Sequence, residues 1–262
     1  MYIVSRVKMT LPAIKYRTTL WLALILLASS IAHAQGDIRV TDSLGAKRFT
    51  QNVPPAALAI YERAVKLRKG GKLQLAISLF QEAIKLFPDY FDARYALALD
   101  LARTGNSAEA IVQLEEARKI NPSDDRLYQS FGAILIEQKK YTLAAASFAE
   151  AARLNPNNPR YPLMRGIAIL YYVSEIDAAR VQSPQDRSYL LGRAEEALNR
   201  AYQLSDRKLA IVHFYLGMLY EKKGEPLRAA AELEQYLAAN PQDTNAAVIR
   251  ETIEKLRRAT AP

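Results

Sequence analysis

The chain contains no cysteine, only two histidines and one tryptophan among its 262 residues. Without cysteine it forms neither a disulfide framework nor a zinc–thiolate site, and it has no thiol nucleophile. Two histidines, His33 and His213, leave little scope for imidazole chemistry. Half of the residues are hydrophobic and 24% are charged, a balance typical of a folded globular protein rather than a disordered one.

The first 34 residues have the composition of a secretory signal peptide. Four basic residues and no acidic residue precede an apolar run over 20–28, and residues 32–34 read Ala-His-Ala. This run is shorter than the roughly 20 residues that a spanning helix needs, and the small residues suit a signal peptidase. We therefore expect export, with cleavage between Ala34 and Gln35 and translation from Met1 or Met9. A retained signal that anchors a scaffold in the inner membrane is the alternative.

The positive charge is concentrated in this leading segment. Net charge falls from +9 to +5 without it, because it holds four of the 36 Lys and Arg residues and none of the 27 acids. A local basic patch remains, formed by Arg63, Lys66, Arg68, Lys69 and Lys72. With acids dispersed through the rest of the chain, the patch predicts a solvated cationic surface, and we expect no nucleic-acid partner. A membrane partner is expected only if the signal is retained.

A repeat of 34 residues follows, marked by Pro88, Pro122 and Pro156. Places are counted from the first residue of each unit, at 57, 91 and 125, so that these prolines stand at place 32. Within each unit, small residues recur at places 8, 20 and 27, and large apolar residues recur at places 11 and 24. The small set comprises Ala64, Ala98, Gly132, Ala76, Ala110, Ala144, Ala83, Ala117 and Ala151. The large set comprises Leu67, Leu101, Leu135, Phe80, Leu114 and Phe148. Small residues allow two helices to cross closely, large ones fill the space between crossings, and proline ends the second helix.

This pattern resembles the tetratricopeptide repeat, a 34-residue helix–turn–helix unit with the same small and large places and a closing proline. The resemblance covers about 57–243. It implies an all-α, right-handed superhelical solenoid of about five helix pairs, closed by a C-terminal capping helix. Gly71, Gly105 and Gly224 fall at the turn between paired helices, where a left-handed conformation favours glycine. Lys139 takes that place in the third unit at a cost of about 1 kcal/mol.

The predicted organisation follows from the repeat register. The segments are a signal peptide at 1–34, a polar leader at 35–53, repeats at 57–90, 91–124, 125–158, 159–209 and 210–243, and a capping helix and tail at 244–262. The fourth repeat is irregular, with an insertion at about 171–188. We expect its first helix to extend over 172–180 and a new helix to begin at Pro184, capped by Ser183.

The resemblance implies that the first helix of each unit lines a concave groove that binds an extended peptide or a partner's helix. The residues expected in this groove are Tyr61, Val65, Arg68, Tyr95, Leu99, Arg103, Arg126, Gln129, Leu163, Tyr171, Phe214 and Met218. Tyrosine and arginine are typical of binding hot spots. An apolar stripe at helical spacing is also typical of a core, so packing against the neighbouring first helix is the competing interpretation for each residue.

No motif for catalysis is present in the sequence. It contains no G-x-S-x-G, H-E-x-x-H or P-loop pattern, and we expect His213 to pack rather than react. The carboxylate pairs Glu115-Glu116 and Glu195-Glu196 are interpreted as solvated. We therefore expect a non-enzymatic scaffold that binds a protein or peptide in cell-envelope assembly, with no cofactor and no metal. A glycan-binding protein of polysaccharide export or the cell wall is the alternative, because tyrosines can also stack on sugar rings.

Overall fold

The computed structural model describes residues 51–175 and 184–259, and within them the regular secondary structure is entirely helical. The helices are α1 Pro55–Lys69, α2 Leu73–Leu86, α3 Phe91–Arg103, α4 Ser107–Ile120, α5 Asp125–Glu137, α6 Tyr141–Leu154, α7 Arg160–Glu175, α8 Pro184–Leu204, α9 Ile211–Lys223, α10 Pro226–Ala239 and α11 Ala246–Arg258. Consecutive helices pair as α1/α2 through α9/α10, and each pair packs on the next. The expected all-α superhelical array of five pairs with a terminal helix is confirmed.

Close helix crossings explain the small residues of the repeat. The alanines at places 8, 20 and 27 of the first three repeats are all completely buried. At Gly132 an added β-carbon would lie 2.6 Å from Cζ of Phe148, which occupies place 24 of the same repeat. At Gly166 and Gly217 it would lie 2.8 Å from the side chains of Leu198 and Leu233. The small residue at place 8 therefore faces the large residue at place 24 across the third, fourth and fifth pairs.

The turns within the pairs adopt the left-handed conformation that the glycines predict. Gly71, Gly105 and Gly224 have φ between 75° and 83°, and Lys139 has a φ of 58° at the equivalent place of the third repeat. A side chain in this conformation costs about 1–2 kcal/mol relative to glycine. The ammonium group of Lys139 lies 2.9 Å from Glu175 Oε1, an exposed ion pair that offsets little of this cost.

The fourth repeat has longer helices than the other repeats. Helix α7 has 16 residues against 13 in α3, α5 and α9, and α8 has 21 against 14 in the other second helices. The predicted helical extension over 172–180 is described only as far as Glu175, and its remainder lies outside the described residues. Helix α8 begins at Pro184 as predicted, and the proposed Ser183 cap also lies outside the described residues.

The fourth repeat lacks the closing proline, and its chain leaves α8 by a different turn. Asp206 occupies the place where proline stands in the other repeats, and Asp206 and Arg207 have φ values of 51° and 62°. The Arg207 amide donates to the carbonyl oxygen of Tyr202 (2.9 Å). Two consecutive left-handed residues therefore reverse the chain before α9.

The last helix covers the end of the array. Its apolar stripe of Ala246, Ile249, Ile253 and Leu256 is buried against α10, while its other face carries exposed charged residues. Stacked repeats need such a helix because each apolar face must be covered by a neighbour. None of the helices within the described part of the chain is long and apolar enough to cross a membrane.

Candidate functional site

The first helices of the five repeats carry the residues predicted to bind, and we call the surface that these residues form the first-helix face. Eleven of its predicted members are half-buried or exposed. They are Tyr61, Val65, Arg68, Tyr95, Leu99, Arg103, Arg126, Gln129, Leu163, Phe214 and Met218. Side-chain contacts join α1 to α3 and α3 to α5 across this face. The structure thus brings the predicted residues of the first three repeats together on neighbouring helices.

Tyr171 is the exception, and its prediction as a groove residue is corrected. Only 2% of its surface is exposed, and its ring packs 5.7 Å from that of Tyr141 on α6. The additional length of α7 is the reason, because it places Tyr171 within the helix body rather than at its end. The Tyr141 hydroxyl donates to Glu175 Oε1 on the added turn (3.1 Å), which holds α6 and α7 together there. Burial raises the pKa of Tyr171 to about 12.

Tyr61 packs against other aromatic rings of the first repeat rather than standing free in a groove. Its ring lies 5.6 Å from that of Phe80 and 5.1 Å from that of Tyr90. Burial raises the pKa of its hydroxyl, with the nearby Asp92 carboxylate adding to the effect. Tyr61 therefore contributes packing as well as surface, and its removal would disturb the fold.

Beside Tyr61, Arg68 is held between an aromatic ring and a buried carboxylate. Its guanidinium lies 5.5 Å from the centre of the Phe80 ring, and Nη1 lies 3.8 Å from Oδ1 of Asp100 on α3. The Asp100 side chain is fully buried, and neither carboxylate oxygen has a hydrogen-bond partner among the described residues. Burial raises the pKa of Asp100, and Arg68 and Arg103 oppose that effect. Burying a carboxylate this way costs stability.

Asp100 was missed at the sequence level, although the repeat register contains its signal. It occupies place 10, where the later repeats carry Ile134, Ala168 and Leu219. All three of these residues are buried, so an acid at place 10 falls on the side of the helix that faces the core. An aligned register would have identified the anomaly without a structure.

The junction of α3 and α5 carries a second positioned arginine. Arg126 Nε donates to Asp124 Oδ1 (2.8 Å), and its guanidinium lies 5.2 Å from the centre of the Tyr95 ring and 5.9 Å from that of Phe91. The Tyr95 hydroxyl lies 3.2 Å from Ser130 Oγ. The hydrogen bonds to Asp124 raise the pKa of Arg126. A guanidinium fixed in this way presents donors to a ligand with little loss of side-chain entropy on binding.

The later repeats contribute a more apolar part of the face. Phe214 is half-buried and its ring packs 5.3 Å from that of Tyr236, which takes the place of a small residue at place 27. His213 packs as predicted, with its ring 4.7 Å from that of Tyr202, and its Nδ1 lies 2.7 Å from Glu232 Oε2. These contacts explain both residues as parts of the α8–α9–α10 packing.

The prediction that Glu195 is solvated is wrong. Its side chain is only 22% exposed, and it accepts a hydrogen bond from the Tyr220 hydroxyl (2.7 Å) and pairs with Lys223 (2.5 Å). Burial alone would raise the pKa of Glu195, but the bonds from Lys223 and Tyr220 outweigh it and hold the pKa below its usual value. Glu195 therefore links α8 to α9. Within residues 51–175 and 184–259, no group of three or more His, Asp or Glu side chains is placed to hold a metal ion.

Sequence profiles agree with the repeat geometry. Two profiles described as tetratricopeptide repeat match residues 67–133 and 125–158, and the second coincides with the third helix pair. Residues 67–158 of the chain are therefore tetratricopeptide repeats. The fourth and fifth helix pairs, which lie outside these matches, show the same packing of place 8 against place 24.

Curated relatives share only part of their length with this chain. The UDP-N-acetylglucosamine–peptide N-acetylglucosaminyltransferase of Giardia intestinalis is 24% identical over 177 residues, 65% of this chain and 12% of that enzyme. The BBSome complex member BBS4 of Bos taurus is 26% identical over 188 residues, 72% of this chain and 33% of that protein. The chain thus spans a third or less of the length of these relatives.

Solved structures show the same fold at low sequence identity. MamA from Desulfovibrio magneticus RS-1 has a TM-score of 0.61 and 19% identity, covering 73% of this chain and 99% of that one. YrrB, a tetratricopeptide-repeat protein with an unusual peptide-binding site, has a TM-score of 0.60 and 17% identity, covering 74% and 92%. PilW, a type IV pilus biogenesis factor, has a TM-score of 0.61 and 15% identity, covering 79% and 88%.

Proposed function

We propose that this protein is a non-enzymatic, exported scaffold whose first-helix face binds a protein or peptide segment during cell-envelope assembly. The observation that carries the proposal is the placement of Arg68 and Arg126. Each guanidinium lies beside a carboxylate and an aromatic ring, and the two arginines flank α3. Fixed guanidinium groups beside half-buried tyrosine and leucine form the kind of surface that anchors a polypeptide.

The binding role is supported by the character of the surface around these arginines. Leu99 and Gln129 are half-buried on neighbouring helices and offer apolar contact and amide hydrogen bonding. YrrB, which shares the fold, has a peptide-binding site, and this supports a polypeptide ligand for such an array. The export proposal rests on the sequence of residues 1–34, which lies outside the described residues.

The absence of cysteine from the sequence allows a site-specific test of the face. In three variants, a single cysteine replaces Leu99, Arg103 or Gln129 and carries a cleavable crosslinker on the first-helix face. Cysteines at Val112 and Leu75, which are 54% and 56% exposed on second helices, are the matched controls. We expect envelope extracts to give the same crosslinked polypeptide from the three face positions and not from the controls. Equal crosslinking from both sets, or crosslinking from the controls alone, would show that the face is not the binding surface.

Export is tested separately, by mass spectrometry of the protein purified from its own host. We expect the mature chain to begin at Gln35. An intact amino terminus at Met1 or Met9 would contradict cleavage and favour the anchored alternative. Because this measurement does not involve the first-helix face, export and binding are tested independently.

A further inference from the structure

A cleft of about 280 Å³ lies away from the residues predicted to bind, between the second helices α6 and α8. Helix α7 forms its floor. We call it the Arg165 cleft, and its lining includes Ala145, Ala149, Arg165, Ile169, Tyr189 and Arg193. None of these residues belongs to the first-helix face. The cleft is therefore a surface that the proposed function leaves unexplained.

The walls of the cleft are apolar and open to solvent. Ala145 and Ala149 on α6 are half-buried, and Ile169 on the floor is buried. Tyr189 stands on the α8 side with 64% of its surface exposed, the largest exposed fraction among the large hydrophobic side chains of the described residues. Small side chains on one wall and an exposed aromatic ring on the other leave space for an apolar side chain from outside.

Arg165 occupies a place in the repeat that belongs to the core in three of the other four repeats, the exception being the exposed Arg63 of the first. It stands at place 7, where the second, third and fifth repeats carry Leu97, Phe131 and Leu216, all of them buried. Among the second to fifth repeats, only the fourth therefore has a half-buried guanidinium in place of a core side chain. A cation at such a place costs desolvation free energy unless an anion accompanies it.

The described residues supply no such anion within ion-pairing distance of Arg165. No carboxylate among them lies within 4 Å of Arg165, whereas its neighbour Arg193 has Glu196 at 3.5 Å, and the Glu196 side chain is 72% exposed. Burial lowers the pKa of Arg165 and the charge of Arg193 lowers it further, and the Glu196 carboxylate opposes both effects without cancelling them. The cleft therefore holds two like charges and one weak, solvated counter-charge. A carboxylate from outside would relieve this repulsion and accept hydrogen bonds from a guanidinium.

We propose that the Arg165 cleft docks an acidic segment of a partner polypeptide, with a carboxylate on Arg165 and Arg193 and an adjacent apolar side chain against Ala145 and Ala149. A cleft of this volume is at the small end for a cofactor site but accommodates one or two side chains. Its two arginines among apolar walls suit an acidic–apolar peptide better than a phosphate polymer, which binds through many cations. The scaffold would then hold partners at two separate surfaces of the array.

The test uses labelled hexapeptides of alternating glutamate and leucine, with glutamine–leucine and lysine–leucine peptides as probes of charge. Binding to the full chain is measured by fluorescence anisotropy at peptide concentrations up to about 1 mM. We expect the glutamate peptide to bind at least about tenfold more tightly than either of the others. Equal binding of the glutamate and glutamine peptides, or no binding of the glutamate peptide, would overturn the proposal.

Variants then locate the binding. R165Q with R193Q should weaken binding of the glutamate peptide about tenfold or more, whereas R200Q, which removes an exposed arginine from α8, should not. Ala145→Trp fills the cleft without changing charge and should block binding, with exposed Ala247→Trp on α11 as its control. Circular dichroism checks that each variant folds. Loss of binding in R126Q but not in R165Q with R193Q would assign the peptide to the first-helix face instead.

The same assay distinguishes an acidic peptide from a phosphate-bearing ligand of the cleft. Inorganic phosphate and vesicles containing phosphatidylglycerol are added as competitors of the glutamate peptide. We expect the peptide to remain bound at physiological ionic strength. If the vesicles bind the wild-type chain but not R165Q with R193Q, and the peptide does not compete, the cleft is a membrane contact and the acidic-peptide proposal is wrong.

Discussion

Replacement of Gly132 by alanine tests the packing rule that builds the array. The added methyl group would lie 2.6 Å from Phe148 Cζ and 2.8 Å from Cε1 and Cε2, closer than carbon atoms approach in real structures. Phe148 is 1% exposed, so the ring has little room to move away. Overpacking of this kind costs about 1–3 kcal/mol, while alanine in a helix gains about 1 kcal/mol over glycine. The difference between these two effects predicts a net loss of about 1 kcal/mol.

The chain itself supplies the compensating substitution. The second repeat has alanine at place 8 and leucine at place 24, so G132A with F148L reproduces a pairing that this protein already contains. The double variant should be more stable than the sum of the single effects predicts, by about 1–3 kcal/mol of coupling. Urea unfolding of the four chains measures the cycle, and hydrogen exchange in α5 and α6 shows whether the loss is local to that repeat.

Additive effects within about 0.5 kcal/mol would refute this reasoning. That outcome is physically meaningful, because the first repeat pairs Ala64 with Phe80 and both are completely buried. If helix spacing adjusts freely, α5 and α6 will move apart to the distance found in the first repeat. A large coupling would show instead that neighbouring repeats fix the spacing of each pair.

The remaining predictions concern charges in the array. K139G relieves a left-handed side chain worth about 1–2 kcal/mol and loses one exposed ion pair worth about 0.2–1 kcal/mol, so it should raise stability by about 1 kcal/mol in urea unfolding. Because burial holds the folded-state pKa of Asp100 above 3.8, its charge costs stability at neutral pH and ceases to do so as the pH falls below that value. D100N should therefore be more stable than wild type at pH 7 and lose that advantage in acid, unlike the exposed control E82Q. E195Q should lower stability by about 1–2 kcal/mol at pH 7, and by less as the pH falls below 4.5, since the folded-state pKa of Glu195 is lowered.

The fold could be predicted from the sequence because its determinants are local and periodic. Each regular unit specifies its helix crossing through small residues, its turn through a glycine and its end through a proline. Three units in register make each assignment redundant, so the substitution of Lys139 for glycine does not hide the turn. The additional helix length of the fourth repeat, by contrast, interrupts the period. The prediction fails for Tyr171 because its place number no longer gives its depth in the helix.

The candidate sites were harder to predict, because they depend on contacts between repeats. Place numbers indicated that Arg68 and Arg126 lie on the first-helix face, but not that each lies against an aromatic ring and a carboxylate. Phe80, Asp100 and Tyr95 lie on helices other than those of the arginines they contact, and only Asp124 is a sequence neighbour of its arginine. Periodicity describes what the units have in common, whereas such contacts arise from the residues in which they differ.

Asp100 and Arg165 show how that difference can be used. Each is a charge at a place where three other repeats bury apolar side chains, at place 10 and place 7 respectively, whereas the first repeat carries the exposed Lys66 and Arg63 there. In a stack of similar units the apolar residue is known to fit, because the neighbouring repeats contain it. A charge at such a place lowers the stability of the protein, although the repeat fold does not require a charged side chain there. Such a departure from the repeat is a stronger indication of function than an exposed residue that follows it, since an exposed residue costs the fold almost nothing.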